Sequence, residues 1–238
     1  MKIAVLSDIH ALSAALAAAL TDAREEGYDV LLILGDLLTY GVCPAETLDL
    51  VHDAVARDDA ILIMGNHDRI YLDLDEDDSA YLATLPAWLQ ETVRWTAAQV
   101  PARALDAFAW QQSWSCGALF AAHANPGEAG DWTYLNSDAR ADDAAATLAR
   151  RGYRYGIFGH THRARRFDRE QVSLFTLGSL GQPRDDDPRL RWTMIDLEDD
   201  AITVAPRTIA FDRIAHCAAI RRTTLSTATQ DRLCGFFA

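Results

Sequence analysis

The chain has 238 residues, of which 50% are hydrophobic and 24% are charged, and its formal net charge is −13. These values are ordinary for a globular protein with one core, and we expect a single domain over residues 1–238. The negative charge argues against broad, sequence-independent nucleic-acid binding, which needs a basic face. It leaves a small anionic substrate open, because bound metal ions can reverse the local field.

The sequence also bears on cellular location. The chain passes from Met1 directly into an apolar strand, without the basic region and cleavable apolar stretch of a signal peptide. Its longest window rich in alanine and leucine, at 11–20, is about half the ~20 residues that span a bilayer. Four well-separated cysteines without a C-x-x-C pair are typical of reduced thiols. We therefore expect a cytoplasmic protein with no membrane segment, and the pattern predicts no particular oligomeric state.

The first third of the chain alternates short apolar strands with helices. Leu12, Leu16 and Leu20 recur at helical spacing, and Gly27 stands where this helix would end. Pro44 suits the first turn of a second helix. Strand–helix–strand units of this length predict parallel strands joined by right-handed crossovers.

Residues 71–112 differ in character and predict a helical insertion between the third strand and the next. An acidic run at Asp73–Asp78, most simply a solvated loop, precedes a helical stretch rich in alanine and tryptophan. Trp88 and Trp95, seven residues apart, predict that the insertion packs onto the body of the protein. The alternative is a lid or wall over the site that sets substrate choice.

After Gly152 the pattern changes to short strands with short connections, which predicts a mainly antiparallel second half. The predicted strands are Arg154–Phe158, Ala164–Asp168, Val172–Leu177, Leu190–Leu197 and Ala201–Pro206, with a hairpin turn at Asp199-Asp200. A peripheral helix and a loose tail are expected over 211–238. Two mixed sheets packed face to face with helices outside, a four-layer α-β-β-α sandwich, fit this order of elements.

Five apolar runs each end at residues that can hold a metal ion. These residues are Asp8 and His10, Asp36, Asn66, His123, and His160 and His162. Ligands of open α/β sheets bind outside the carboxyl ends of the strands, so these side chains are predicted to converge at one edge. Asp8 and His10 would share a face on an extended backbone, as would His160 and His162. A mixture of imidazole and carboxylate suits Mn, Fe, Zn, Ni or Co.

The series D-x-H, G-D, G-N-H-D, H and G-H-T-H, in that order, resembles the calcineurin-like metallophosphoesterase superfamily. The segments that resemble its small bacterial and archaeal phosphodiesterase-type branch are 8–11, 35–41 and 178–185. The resemblance covers about residues 1–70 and 118–206. The departures from common family residues, which leave every ligand in place, are Leu12, Ala124 and Thr176-Leu177.

The resemblance implies two divalent metal ions, Mn foremost, that share one carboxylate. The residues implied for one ion are Asp8, His10, Asp36 and His162. The residues implied for the other are Asp36, Asn66, His123 and His160. A hydroxide held between the ions would attack phosphorus.

Further roles follow from the same resemblance. His67 would protonate the leaving oxygen as a general acid, although a hydrogen-bonded turn histidine is the simpler interpretation. Asp68 would orient the His67 ring, although an aspartate in a turn needs no further role. Asn66 would contact the phosphate oxygens. Arg184 is a candidate for the same contact, and an ion pair with Asp185 or Asp186 would explain it equally well.

Other basic and imidazole groups lie near or outside these motifs. Arg163, Arg165 and Arg166 follow the last ligands directly, and they predict a solvated strand face, with phosphate contact as the alternative. His52 and His216 are interpreted as residues of a helix surface or the core.

The predicted function is a metal-dependent phosphoric ester hydrolase. The branch resemblance favours phosphodiesters, with cyclic nucleotides among the candidates, and the expected partner is a small phosphate ester. One alternative is a phosphomonoesterase that acts on phosphoproteins or dinucleoside polyphosphates. Another is a non-catalytic scaffold of the same fold, but this chain retains every ligand and His67, which favours the enzyme.

Overall fold

The computed structural model describes residues 1–75, 80–187, 189–198 and 201–237. Its strands are β1 Lys2–Leu6, β2 Val30–Ile33, β3 Ile61–Leu62, β4 Ser113–Cys116, β5 Leu119–Ala122, β6 Tyr155–Phe158, β7 Arg165–Asp168, β8 Ser173–Thr176, β9 Leu190–Glu198 and β10 Ala201–Ile209. Its α-helices are α1 Ser13–Glu26, α2 Pro44–Asp58, α3 Asn66–Asp75, α4 Ala80–Thr84, α5 Ala87–Ala97, α6 Asp138–Arg150, α7 Arg213–Ile220 and α8 Thr227–Cys234.

Over the described residues the strands form two mixed sheets. The first has the order β10-β9-β1-β2-β3, in which β1, β2 and β3 are parallel and β9 runs antiparallel to β1. The second has the order β4-β5-β6-β8-β7, with parallel β5, β6 and β8. The predicted antiparallel pairing holds for β7–β8 and β9–β10 but is wrong for β6–β8. The reason is that β7 lies at the edge of the sheet, so β8 pairs beside β6.

The two sheets pack against each other through apolar side chains. Ile3, Val5 and Leu32 of the first sheet share one cluster with Leu119 and Ile157 of the second, and each is at most 1% exposed. Helices α1 and α2 cover the outer face of the first sheet, and α6 covers that of the second. Strands buried on both faces account for the continuous apolar runs in the sequence. The predicted four-layer sandwich is confirmed.

The end of the first helix and the start of the second lie where the sequence predicts. Helix α1 buries Leu16 and Leu20 and ends at Gly27, whose φ of 76° lies in the left-handed region. Pro44 occupies the first turn of α2, where backbone N–H groups have no partner within the helix, so the missing N–H of proline costs no hydrogen bond. Both helices pack on the outer face of the first sheet.

The segment between β3 and β4 is helical, as expected, but its first helix begins earlier than predicted. Helix α3 begins at Asn66 and so carries two residues of the G-N-H-D motif. Asp73 lies in α3 and pairs with Arg69, whereas residues 76–78 of the acidic run lie outside the described residues. Trp88 is half-buried against the core and lies 6.0 Å from Tyr40 between ring centroids. The insertion thus packs onto the body next to the predicted site.

The prediction of one peripheral helix and a loose tail over 211–238 is wrong. Two helices, α7 and α8, pack through buried Ile220, Leu233 and Phe237. Apolar residues spaced along both helices join the main core. The ring of Phe236, which follows α8, lies 5.9 Å from that of Tyr40. The predicted turn at Asp199-Asp200 lies outside the described residues. In the part of the chain that the structure describes, no helix is both long and apolar enough to cross a bilayer.

Candidate metal centre

The seven predicted metal ligands meet at one edge of the sandwich, beyond the carboxyl ends of β1, β2, β3, β5 and β6. Each is at most 7% exposed, and they are Asp8, His10, Asp36, Asn66, His123, His160 and His162. Parallel strands deliver their carboxyl ends to the same side of a sheet, and two such sheets packed together bring both sets into one crevice. The predicted convergence is thus present in the structure.

The backbone that presents these ligands is left-handed, and the explanation from an extended backbone is wrong. The ligands with φ between 48° and 62° are Asp8, His10, Asp36, His160 and His162. Both D-x-H and H-x-H lie after their strands have ended. A left-handed conformation is unfavourable for residues other than glycine, so surrounding contacts must hold it. The His10 amide, for example, donates to the Asp36 carbonyl at 2.9 Å.

One group of ligand atoms lies around His10 and His162. Nε2 of His10 lies 3.2 Å from Nε2 of His162, which in turn lies 3.3 Å from Oδ1 of Asp8. Oδ2 of Asp36 lies 3.7 Å from Nε2 of His10. The four residues each offer a ligand atom, and these atoms lie within 4.8 Å of one another. Their spacing fits a single cation held among nitrogen and oxygen donors.

A second group shares Asp36. It contains His123 and His160, whose ligand atoms lie within 4.8 Å of one another and of the Asp36 carboxylate. Nε2 of His123 lies 3.5 Å from Oδ2 of Asp36 and 3.2 Å from Oδ1 of Asn66. Nε2 of His160 donates to the carbonyl of Trp132 at 2.9 Å, which leaves Nδ1 as the ring nitrogen with a free lone pair.

Oδ2 of Asp36 is buried without a hydrogen-bond partner, and it is the oxygen that lies between the two groups. The other oxygen, Oδ1, accepts from the His67 amide at 2.8 Å. Leaving a buried carboxylate oxygen unsatisfied is costly, and cations on either side would remove that cost. The donor set therefore fits metal ions.

Hydrogen bonds to backbone carbonyl oxygens set the tautomer of three histidines. Each Nδ1 lies within hydrogen-bond distance of a carbonyl oxygen, and the pairs are His10 with Leu38 at 2.9 Å, His123 with Leu34 at 2.5 Å and His162 with Gln182 at 2.7 Å. A ring that donates through Nδ1 presents the lone pair of Nε2 to the cluster. The loops after β2 and β8 thus orient ligands that come from other strands.

The charges of the cluster also call for a cation. Burial raises the pKa of Asp8, but the neighbouring imidazoles, His162 foremost, together outweigh burial, and the pKa lies below its ordinary value. The imidazoles of His123, His67 and His10 together outweigh burial at Asp36 in the same way, and its pKa lies well below its ordinary value. Against the effect of burial, Asp36 raises the pKa of His123 to about 9. Two ionised, buried carboxylates need positive partners, and metal ions would supply them in place of the His123 proton.

His67 lies beside this cluster and is 6% exposed. Nδ1 of its ring lies 3.0 Å from Oγ1 of Thr39, and Nε2 lies 3.2 Å from the hydroxyl of Tyr40. Its ring contacts that of His10 edge-on, with 5.2 Å between centroids. Burial lowers the pKa of His67 to about 4. The ring is thus held by two hydroxyl groups next to the candidate metal ligands.

The predicted contact of Asp68 with the His67 ring is wrong. The Asp68 carboxylate accepts from the backbone amides of Asp36 at 2.7 Å, Leu37 at 2.9 Å and Gly65 at 2.9 Å. Since α3 begins at Asn66, consecutive side chains turn by about 100° around the helix, and Asp68 therefore faces the loop after β2. Asp68 fixes the backbone that carries Asp36.

Arg184 lies near the cluster, and its guanidinium donates to Oε1 of Gln182 at 2.9 Å and 2.6 Å. Of the two carboxylates proposed as ion-pair partners, Asp185 instead pairs with Arg191 at 2.6 Å. No ion pair joins Arg184 to Asp186 among the described residues. The alternative of a structural ion pair is therefore absent here, and substrate contact by Arg184 stays a prediction.

The remaining histidines lie where the sequence suggested. His52 is exposed on α2 and stacks on Phe108, with 4.4 Å between ring centroids. His216 is 7% exposed and packs against Phe211 and Phe237. Neither belongs to the metal-ligand groups found among the described residues.

Several residues at the site escaped the sequence-based prediction. Thr39 and Tyr40 hold His67, while Trp132 and Tyr134 hold the His160 ring, with Tyr134 stacked on it at 4.0 Å. Thr39 and Tyr40 lie in the segment 35–41 that resembles the family branch, so a signal was present without an assigned role. The loop with Trp132 and Tyr134 carries no such signal, because its position depends on tertiary packing.

Comparison with known proteins identifies the family. The model of the calcineurin-like phosphoesterase superfamily domain matches residues 1–200. The chain belongs to this superfamily. The match includes the helical segment between β3 and β4, which the motif resemblance did not cover.

Individual relatives agree with this assignment. A metallophosphoesterase from Sphaerobacter thermophilus is 25% identical, with a TM-score of 0.74 over 99% of this chain and 100% of that one. The hypothetical protein PH1004 of Pyrococcus horikoshii has a TM-score of 0.80 at 17% identity, over 98% and 97% of the two chains, and shows the shared fold. The uncharacterized protein MJ0912 of Methanocaldococcus jannaschii is 28% identical over 224 residues, 85% of each chain. Superfamily membership places the protein among the phosphoesterases.

Proposed function

We propose that the protein hydrolyses phosphodiesters with two divalent metal ions. The observation that carries the proposal is Oδ2 of Asp36, a buried and unpaired oxygen between two groups of nitrogen and oxygen donors. Asp8, His10 and His162 would complete one ion site with Asp36. The residues that would complete the other with Asp36 are Asn66, His123 and His160.

Bound divalent ions would lower the pKa of water and offset negative charge on the phosphoryl oxygens. Residues of the chain supply the rest. The side-chain amide of Asn66 lies at the cluster and would contact a phosphoryl oxygen. Arg184, which is half-buried beside the cluster, would contact another. An array of donors set in advance by the fold stabilises charge that develops in the transition state.

His67 would donate the proton that the leaving oxygen needs. Its Nδ1 is held by Thr39, so Nε2, next to the Tyr40 hydroxyl, is the nitrogen that would carry this proton. Burial keeps the pKa of the free ring at about 4, and an anionic ester beside it would raise that pKa. The ring would therefore gain its proton when substrate binds and release it to the departing alkoxide.

The preference for diesters comes from the resemblance of segments 8–11, 35–41 and 178–185 to the phosphodiesterase-type branch. Phosphomonoesters are the nearest alternative. Mn is the first metal to test, because imidazole, carboxylate and amide donors suit it and no cysteine lies in the cluster. The four free cysteines favour a reducing compartment such as the cytoplasm.

The experiment compares kcat/KM for bis(4-nitrophenyl) phosphate and 4-nitrophenyl phosphate with Mn-loaded enzyme. A chelated sample and the Asp36→Asn variant serve as controls. Metal-dependent turnover with preference for the diester supports the proposal. A preference for the monoester would move it to phosphomonoesterases, and a metal-loaded protein inert toward both esters would contradict enzymatic function.

A further inference from the structure

A cleft of about 400 Å³ lies beside the candidate metal centre, and three of its seven lining residues are arginines. Its lining includes Arg163, Arg165 and Arg184, together with Tyr134 and Thr161, and contains no carboxylate. The volume is within the range of ligand pockets, about 300–1,000 Å³, and is larger than a single phosphate group requires. In a protein of net charge −13, three guanidinium groups in one cleft form a local positive field.

Two of the three guanidinium groups of this cleft have no ion-pair partner among the described residues, and that of Arg184 donates to the uncharged Oε1 of Gln182. Arg163 and Arg165 are exposed, and neither forms an ion pair with a residue that the structure describes. The carboxylate of Asp185, the neighbour of Arg184, accepts from Arg191 at 2.6 Å and from the Ala164 amide at 3.2 Å. The charge of Asp185 is therefore already balanced by Arg191.

Arg166 differs from Arg163 and Arg165 in its contacts. It follows Arg165 directly in β7, and successive side chains of a strand point to opposite faces. Arg166 pairs with Asp168 at 2.8 Å and lies over the Phe175 ring at 5.3 Å. The solvated strand face predicted for this basic run thus holds for Arg166, whereas Arg163 and Arg165 line the cleft.

Three observations place the cleft next to the metal centre. The Tyr134 ring stacks on the candidate ligand His160 at 4.0 Å. Thr161 lies between His160 and His162 in the chain. The backbone amide of Arg184 donates to the carbonyl of His162 at 3.2 Å. A substrate with its reacting phosphate at the metal ligands would extend its next group into the cleft.

We propose that Arg163 and Arg165 form a subsite for a second phosphate group of the substrate, while Arg184, whose backbone amide bonds to the candidate ligand His162, contacts the reacting phosphate. This inference rests on the proposed function for the reacting phosphate, and it narrows the substrate class to phosphate esters that carry another phosphate group. Guanidinium groups bind phosphate oxygens through paired, charge-assisted hydrogen bonds, which makes arginine suited to this role. Tyr134 and Leu135 supply an apolar wall for the group between the two phosphates.

The test measures binding and turnover separately. Calorimetry with Mn-loaded protein gives the dissociation constants of thymidine 3′,5′-bisphosphate and thymidine 5′-monophosphate, which differ by one phosphate. The variants are Arg163→Gln/Arg165→Gln and, as the matched control on the same strand, Arg166→Gln. Turnover is measured with the 4-nitrophenyl esters of thymidine 5′-monophosphate and of thymidine 3′,5′-bisphosphate, each esterified at the 5′-phosphate.

We expect the wild-type protein to bind the bisphosphate at least about 10-fold more tightly, as for one desolvated charged hydrogen-bonded contact. The double variant should lose this preference, the Arg166→Gln variant should keep it, and added salt should weaken it. Equal affinities in the wild-type protein, no binding of either nucleotide, or an unchanged preference in the double variant would overturn the subsite. Failure to turn over either ester, with the binding preference intact, would count against the proposed function alone.

Discussion

The hydroxyl of Thr39 lies 3.0 Å from Nδ1 of His67 and 2.8 Å from the hydroxyl of Tyr71. This short chain of hydrogen bonds joins the loop after β2 to helix α3 and sets the orientation of the candidate general acid. Thr39 itself has a φ of 74°, so the loop holds it in a conformation that threonine rarely adopts. Thr39, together with Tyr40, and not the neighbouring aspartate, orients the His67 ring.

Replacement of Thr39 by valine tests this role. Valine keeps the branched shape but removes the hydrogen bond, so we expect kcat for an alkyl leaving group to fall about 10-fold to 100-fold. KM and metal content should change little, because the Thr39 hydroxyl contacts the His67 ring and not a metal ligand. Thr39→Ser, which retains a hydroxyl, should recover most of the activity. Equal activity of the valine and serine variants would show that the hydrogen bond is dispensable.

The His67→Ala variant tests the general acid. The variant should bind metal as the wild-type protein does, since none of the ligand groups contains the His67 side chain. Its kcat should fall by about 10²–10⁴ on an ester with a poor leaving group. The loss should be much smaller with 4-nitrophenolate, which departs without a proton. A leaving-group series with metal analysis of both proteins checks this, and wild-type kcat on the poor leaving group would falsify the role.

The Asp36→Asn variant tests the shared carboxylate. Asparagine has one neutral oxygen, which cannot both accept from the His67 amide and face the two groups of ligand atoms, as Oδ1 and Oδ2 of Asp36 do. We expect the metal content to fall and turnover to drop to the level of the chelated enzyme. Elemental analysis after gel filtration measures the first, and initial rates at saturating Mn measure the second. Asp49→Asn, at an exposed residue of α2, serves as the control.

The Asp68→Ala variant distinguishes support of the loop from support of His67. It leaves three buried amide groups without an acceptor, each costing about 1–3 kcal/mol, so we expect a loss of about 3 kcal/mol or more in the free energy of unfolding. Metal affinity should fall as well, because one of these amides belongs to Asp36. Activity at saturating metal should fall equally for good and poor leaving groups. A loss of activity confined to esters with poor leaving groups would instead support the predicted role of Asp68 in orienting His67.

His216 makes the stability depend on pH. Burial against Phe211 and Phe237 lowers its pKa from 6.5 to about 4, so the unfolded chain takes up this proton at a higher pH than the folded chain. Stability from the neutral ring is therefore full above pH 6.5 and is lost as the pH falls to about 4, by at most about 1.4 kcal/mol per pH unit.

The His216→Phe variant removes this term. Urea unfolding of chelated wild-type and variant proteins between about pH 7.5 and 4.5 should show the variant gaining relative stability toward acid. His52→Phe, at the exposed histidine of α2, controls for the loss of an imidazole. Parallel pH curves for the wild-type protein and the His216→Phe variant would contradict the assignment.

The ligand set could be predicted from the sequence because each member directly follows an apolar strand. Strand direction alone brings the carboxyl ends of β1, β2 and β3 to one edge, whatever the loops do. The order of the motifs and the chemistry of Asp8, Asp36 and His123 therefore determined the fold class and the location of the site. The boundary of α3 was missed because Asn66 and His67 read as turn residues, although they open a helix.

Sequence by itself thus determined which side chains meet, and the tertiary structure decided how they point. The left-handed φ of the ligand loops, the turn of Asp68 toward the backbone of Asp36, and the separation of Arg165 from Arg166 all depend on contacts between distant segments. Side-chain direction in a loop follows from the local φ, which the hydrogen bonds of neighbouring loops impose. Periodicity predicts elements with a regular backbone, and the ligands here lie just beyond them.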